Sequence, residues 1–408
     1  MRRGECIMSE SQKALPLAGV KVADFSWVGA GPRATKDLAD MGATVIKIES
    51  RKRLDLGRLS PPFAGGGRDP DASTFFAITN TSKLGVTINL NDQRGIEVAK
   101  KLVAWADIVV ENFSHGYMDR IGLSFDTLKS IKPDIIQISV SVAGRKGPLG
   151  TMRGYGNSAA ALSGMAALSG WPDRDPHMPP FAYGDVVAPM FATVAALAAL
   201  EHRRQTGEGQ MIDISQVEPL VHVMADRFEA VQTDSGGKPG NRTTRYAPHG
   251  AFPARGVDQW IAITVRTDAE WRELAAIANI DDARFDTLAG RKADEDALET
   301  VLGAWTRGQD KHLLADRLSA LGIPAEAVAD GRDVFTDPEL IDHGHYRSIE
   351  HEKLGICDMP APPLRFSDSD IRISAPPNLG EHNRRIFVEL LGMTETEVHE
   401  LTRAGALA

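Results

Sequence analysis

Asp185 is the side chain with the strongest claim to chemistry. It stands in Pro179-Pro180-Phe181-Ala182-Tyr183-Gly184-Asp185-Val186-Val187-Ala188-Pro189, a lone carboxylate at the mouth of the most apolar helical run in the chain. An ionised carboxylate is costly to bury alone, so one placed there either caps the following helix or is a working group. Taken alone, the residues favour the cap, and the two roles are compatible. The turn Trp27-Val28-Gly29-Ala30-Gly31-Pro32 is a weaker signal. A dinucleotide fingerprint needs a third glycine where Ala34 stands, and Pro32 interrupts the pattern; Glu49 could serve as the ribose-binding acid, but glycine packing alone explains the turn. There is no P-loop lysine, HExxH or GxSxG string. His343 and His345, the only close histidine pair, read as a solvated loop rather than a metal site. Cys6 and Cys357 form no CxxC pair, and no disulfide is expected.

The elements that must position these residues follow from periodicity. Val20 to Phe25 reads as a strand, Ala34, Leu38 and Met41 recur at helical spacing, and Ala43 to Ile48 reads as a second strand. Val86 to Leu90, a helix from Gln93 to Trp105 with its cap at Asn91 or Asp92, and strands at Asp107 to Glu111 and Asp134 to Val140 continue the alternation. Such alternation implies a mostly parallel, Rossmann-like sheet covered on both faces. Ser158 to Leu200 reads as two Ala- and Met-rich helices, followed by a strand at Gln210 to Ile214 and a helix from Gln216 to Val231. The glycine-rich stretch Thr233 to Gly240 is the candidate boundary. The expected division is a large domain over 1–232, a small α+β domain over 233–334, and a segment over 335–408 that returns to the large domain, where Ile371, Ile373, Ile386, Phe387 and Leu390 need a surface to cover.

With 46 basic and 55 acidic side chains, the net charge of -9 argues against a dedicated nucleic-acid surface. No apolar secretion core is apparent near the N-terminus, and Met190 to Leu200 is about half the length a bilayer requires. A cytoplasmic protein without membrane or nucleic-acid partners is expected.

The chain resembles the class III CoA-transferases, the formyl-CoA transferase and carnitine CoA-transferase (CaiB/BaiF) family, from Gly19 to about Gly405. The strings that carry the likeness are Leu38-Ala39-Asp40-Met41-Gly42-Ala43-Thr44-Val45-Ile46-Lys47-Ile48-Glu49, Ala106-Asp107-Ile108-Val109-Val110-Glu111-Asn112-Phe113, Gln205-Thr206-Gly207-Glu208-Gly209-Gln210, Gly322-Ile323-Pro324-Ala325 and Leu379-Gly380-Glu381-His382-Asn383. The resemblance implies that Asp185 is the catalytic carboxylate and that CoA, a substrate rather than a resident cofactor, lies across Trp27, Val28, Gly29, Ala30 and Gly31. It places Arg51, Lys83 and Arg120 toward the nucleotide, Arg153 and Tyr155 toward the pantetheine and acyl end, and a glycine-rich lid at Ser235 to Gly240. It also implies an interlocked homodimer. Two departures stand out: Gly156 replaces the acidic residue usual after the Tyr155 position, and the arginine that often follows Lys-Ile-Glu comes one residue late, as Arg51 behind Ser50.

On this likeness CoA passes from an acyl-CoA to a free acid through a mixed anhydride and an aspartyl-CoA thioester on Asp185. The rivals are an α-methylacyl-CoA racemase and a non-catalytic CoA-binding or scaffold protein. Racemases of this superfamily carry a histidine where Tyr155 stands, and tyrosine, with a reference pKa of about 10, is a poor base near neutrality. The aromatic surroundings of Trp27, Tyr155, Phe181 and Tyr183 favour an acid bulkier or less polar than formate or oxalate: a succinate derivative, an aromatic acid or a carnitine-like compound.

Overall fold

Six short Val- and Ile-rich runs pair into one parallel sheet in the computed structural model, which describes residues 13–227 and 240–408. They are β1 (Lys21–Asp24), β2 (Thr44–Glu49), β3 (Leu84–Thr87), β4 (Ile108–Glu111), β5 (Ile136–Ser141) and β6 (Met211–Ser215), in the order β3-β2-β1-β4-β5-β6. Val22 lies opposite both Val45 and Ile108, with every pairing parallel. All four β4 residues are buried, which explains why the run is apolar without alternation. Strand order reverses between β1 and β4, and ligands of such sheets bind beyond the carboxyl ends of the strands at that switch.

Four helices matter for the site: α1 (Ala30–Asp40), α2 (Gln93–Trp105), α3 (Gly156–Leu162) and α4 (Gly184–Thr206). Asp92 caps α2 by accepting from Arg94 N, and Ile96, Ala99, Leu102 and Val103 are buried against one face of the sheet. On the other face Ala34 and Leu38 of α1 share a core with Ala188, Ala192 and Ala196 of α4, where small side chains allow close approach. The two helices expected between Ser158 and Leu200 prove to be three: the short α3, a four-residue helix at Met165–Leu168, and α4. At 23 residues α4 is longer than its apolar run suggested, and by length and composition it could cross a bilayer. Its alanine face is buried, while Met190, Phe191, Val194 and Leu197 are exposed on this single chain.

Of the described residues, 13–166, 178–227 and 342–408 form one compact unit, and 167–177 with 240–341 form another. The membership of 167–177 in the small unit is not apparent from periodicity. The tail rejoins the large unit by a run of hydrogen bonds: Arg372 N to Asp40 O (3.0 Å), His382 N to Gly85 O (2.9 Å) and Asn89 N to Ala406 O (2.8 Å). Ile386, Phe387 and Leu407 join the core on the α2 side. Within the small unit, β7 (His249–Pro253), β8 (Trp260–Thr264) and β9 (Ala325–Ala327) form an antiparallel sheet in that order. Trp271, Phe285, Leu298 and Leu302 are central to its separate core.

Candidate active site

The turn between β1 and α1 is held from three sides. Asn112, just past β4, clamps the Trp27 peptide: its Oδ1 accepts from Trp27 N (2.8 Å) and its Nδ2 donates to Trp27 O (2.7 Å). Asp55 Oδ1 accepts from Val28 N (2.9 Å), while Lys47 Nζ donates to Asp55 Oδ2 (3.0 Å) and Ser26 O (2.5 Å). Behind the turn, Asp24 accepts from Ser26 N, Thr35 Oγ1 and Lys83 Nζ. This scaffold holds Val28 at a φ of 66°, a left-handed conformation that a β-branched residue avoids unless its surroundings impose it.

The clamped turn brings Gly29 against Asp185. A Cβ on Gly29 would lie 3.3 Å from both Cβ and Cγ of Asp185, and one on Gly156 would come within 2.9 Å of that Cγ and 2.6 Å of Asp185 N. The carboxylate therefore occupies space that side chains at 29 and 156 would take. Gly156, the departure noted in the sequence, is required by this close approach.

Asp185 is the second residue of α4, and that helix has no side-chain cap. Its Oδ1 accepts from Gln216 Nε2 (2.6 Å), just past β6, and its Oδ2 accepts from Gly156 N (3.3 Å), the first residue of α3. The expected cap of its own helix is thus replaced by a contact to the start of another. Burial pushes the Asp185 carboxyl above the usual carboxylate range, and the Gln216 bond, the Gly156 amide and the Arg33 charge offset part of that rise. Removing the Gln216 donor takes away support for the ionised form. Gln216→Leu is accordingly expected to move the acid limb of the kcat/KM profile to higher pH; an unchanged limb or one moved to lower pH would contradict this arrangement.

Beside the Trp27 turn lies a cleft of about 340 Å³ whose lining includes Trp27, Arg53, Phe113, Tyr117, Arg120 and Arg153. Trp27 meets Phe113 edge-on at 5.7 Å, and Phe113 lies 4.7 Å from Tyr117. Arg53 is 5.6 Å from the Trp27 ring and Arg120 is 5.7 Å from that of Tyr117. Aromatic faces interleaved with guanidinium groups suit a planar base and its phosphates.

Of the residues singled out in the sequence, Trp27, Arg120 and Arg153 line this cleft, while Val28 and Gly29 form the turn beside it. Ala30 is buried at the start of α1 against the alanines of α4. Tyr155 is exposed at the start of α3, next to Gly156. Two residues are placed differently. Lys83 is wholly buried, and its ammonium donates to Asp24, Pro32 O and Asn80, each at 2.9 Å, supporting the turn from within. Arg51 donates to Leu379 O (2.8 Å), toward the tail, and its neighbours Lys52 and Arg53 line the cleft in its stead. Glu49 is bound to Arg58 by two bonds of 2.7 Å and is unavailable to a ribose. Residues 235–239 of the expected lid lie outside the described residues; Gly240 packs near Trp171 within the small unit. No group of three His, Cys, Asp or Glu side chains among the described residues is placed to hold a metal.

Asp55, Gln216, Arg33 and Arg53 were not apparent as site residues. Gln216 reaches Asp185 only because β6 ends beside α3 and α4, which spacing along the chain does not reveal. Asn112 stood inside a quoted family string, but its clamp on Trp27 depends on β1 and β4 being neighbours.

Comparison with known proteins gives the family of the chain. Residues 17–383 match the model of CoA-transferase family III. The mouse succinyl-CoA:glutarate CoA-transferase is 30% identical over 409 residues, covering 98% of this chain and 92% of the relative. The succinyl-CoA–D-citramalate CoA-transferase of Chloroflexus aurantiacus is 30% identical over 398 residues, covering 96% of this chain and 98% of the relative. A crystal structure of a CaiB/BaiF family protein from Brucella suis superposes with a TM-score of 0.86 at 31% identity, covering 93% of this chain and all of that one. With a switch-point cleft suited to a nucleotide, a half-buried carboxylate against the same turn and these relatives along nearly its whole length, the chain belongs to CoA-transferase family III and is an enzyme acting on CoA thioesters and carboxylic acids.

Proposed function

We propose that Asp185 is the covalent relay of the transfer. The ionised carboxylate attacks the thioester carbonyl of the donor, expelling CoA thiolate and leaving an acyl-aspartyl anhydride. The thiolate attacks the aspartyl carbonyl of that anhydride, releasing the first acid and forming an aspartyl-CoA thioester. The acceptor carboxylate then attacks the thioester to form a new anhydride, and the thiolate attacks its acyl carbonyl to give the new acyl-CoA and free Asp185. Each step conserves the activation that hydrolysis would waste. The observation that carries this reading is the crowding of Asp185 by Gly29 and Gly156: a carboxylate held by two hydrogen bonds, with hydrogen atoms in place of side chains on two sides.

Relatives named for succinyl-CoA with glutarate, D-citramalate or L-malate support a succinyl-CoA donor and a dicarboxylic acceptor. The exposed apolar face of α4 supports a second copy of the chain as its cover, in the interlocked homodimer. The relay is tested by incubation with succinyl-CoA in the absence of acceptor. A hydroxylamine-labile CoA adduct is expected on the peptide bearing Asp185. An adduct confined to another residue overturns the relay, and in a parallel incubation with a chiral 2-methylacyl-CoA, loss of configuration without CoA exchange would assign a racemase.

A further inference from the structure

Arg33 is a cation close to the reacting carboxylate without a partner of its own. It lies one helical turn beyond Gly29, with Arg33 N bonded to Gly29 O (3.0 Å), so it rises from the same turn that abuts Asp185. Its Nε is closed off from solvent and has no hydrogen-bond partner. The carboxylates that act on its charge are Asp185 and, less strongly, Asp37, yet no ion pair within 4.0 Å joins it to either among the described residues. A buried donor left unmade costs about 1–3 kcal/mol, and more when charged, so retaining one calls for an acceptor that arrives with the ligand.

The chemistry at Asp185 limits what that acceptor is. One carboxyl group of the acid reacts at Asp185 in the proposed relay, and the cleft lined by Arg53, Arg120 and Arg153 offers the CoA phosphates cations of their own. We infer that Arg33 binds the second, unreacting carboxylate of a dicarboxylic acyl group and thereby sets the substrate class of the enzyme. The inference rests on the active-site reading given above and extends it to a residue that makes no bond to the reacting atoms. The fork of a guanidinium suits a carboxylate and has no comparable partner in the methyl end of a monocarboxylic acyl chain.

The test compares succinyl-CoA with butyryl-CoA, equal in chain length and differing in the terminal carboxylate, as donors to acetate. Initial rates are measured in the unaltered enzyme, in Arg33→Gln and in Arg33→Lys. The unaltered enzyme is expected to prefer succinyl-CoA in kcat/KM. Arg33→Gln should cut that ratio by about 10- to 100-fold, mainly through KM for succinyl-CoA, in line with loss of a charge-assisted bond. Arg33→Lys should restore part of it. Equal losses for both donors, or no preference in the unaltered enzyme, overturns the inference, as does an unchanged ratio in Arg33→Gln. Because the ratio cancels any shared loss of active protein, a partly unfolded variant still answers. Adduct formation at Asp185 is followed in the same samples: a shifted ratio without an adduct overturns the covalent relay alone, and an adduct with an unshifted ratio overturns the role of Arg33 alone.

Discussion

Asp185→Ala is expected to lower kcat for CoA transfer by about 10³-fold or more while leaving the protein folded, because no other described carboxylate occupies the space between Gly29 and Gly156. Asp185→Asn should lose as much, since it keeps the shape and an acceptor for Gln216 but has no ionised oxygen to attack. A merely structural Asp185 would show the reverse, with activity retained and stability lost. Stability supplies a second readout. The folded-state pKa of Asp185 is raised above its ordinary value of 3.8, chiefly by burial, so the folded protein holds this proton more tightly than the unfolded chain. Its contribution to stability therefore falls as pH rises from about 3.8 through the raised value, and it is unfavourable above that window. Asp185→Ala should accordingly melt higher relative to the unaltered enzyme at pH 7 than at pH 4. A gain confined to the acid side would contradict the electrostatic account.

The second large effect is on the fold. Arg58 is completely buried, with Nε and Nη2 on the two oxygens of Glu49 (2.7 Å each), Nη1 on Asp71 (2.5 Å), Nη2 also on Pro377 O (3.0 Å), and its guanidinium carbon 3.6 Å from the Phe76 ring centroid. It thus joins the end of β2, the segment at 71 and the returning tail. Arg58→Met leaves the buried Glu49 carboxyl without its partner, and is expected to cost about 3–5 kcal/mol in denaturant unfolding. Arg58→Met with Glu49→Leu should recover most of the loss, because the penalty lies in the stranded polar group. A loss under about 1 kcal/mol for the single variant would show that water reaches Glu49.

Much of the fold is legible where burial imposes a period. The helix read from Gln93 to Trp105 matches the observed bounds, because Asp92 signals its start and one apolar stripe faces the sheet. The parallel sheet follows from the same alternation. The returning tail is legible in Ile386 and Phe387, apolar residues that a surface helix would not carry. Charged residues are harder to read. Lys83 and Arg51 carry charges suited to phosphate, but a lysine in sequence does not say whether Asp24 or a ligand will meet it. For Asp185 the local residues alone favour a cap, because helix starts attract carboxylates, and only the family strings point to catalysis. Its actual partners, Gly156 and Gln216, come from elements 29 and 31 residues away, and only the tertiary fold brings them together.

The division of the large unit has a consequence in time. Residues 342–408, which bond to Asp40, Gly85 and Asn89, are synthesised after residues 240–341 of the small unit. The small unit, with its own core, can be complete while the sheet still lacks the strand-edge partners at 382 and 406. On the ribosome, then, the unit begun first is the last to close, and the nascent enzyme carries an unfinished β3 flank through the whole synthesis of the small unit.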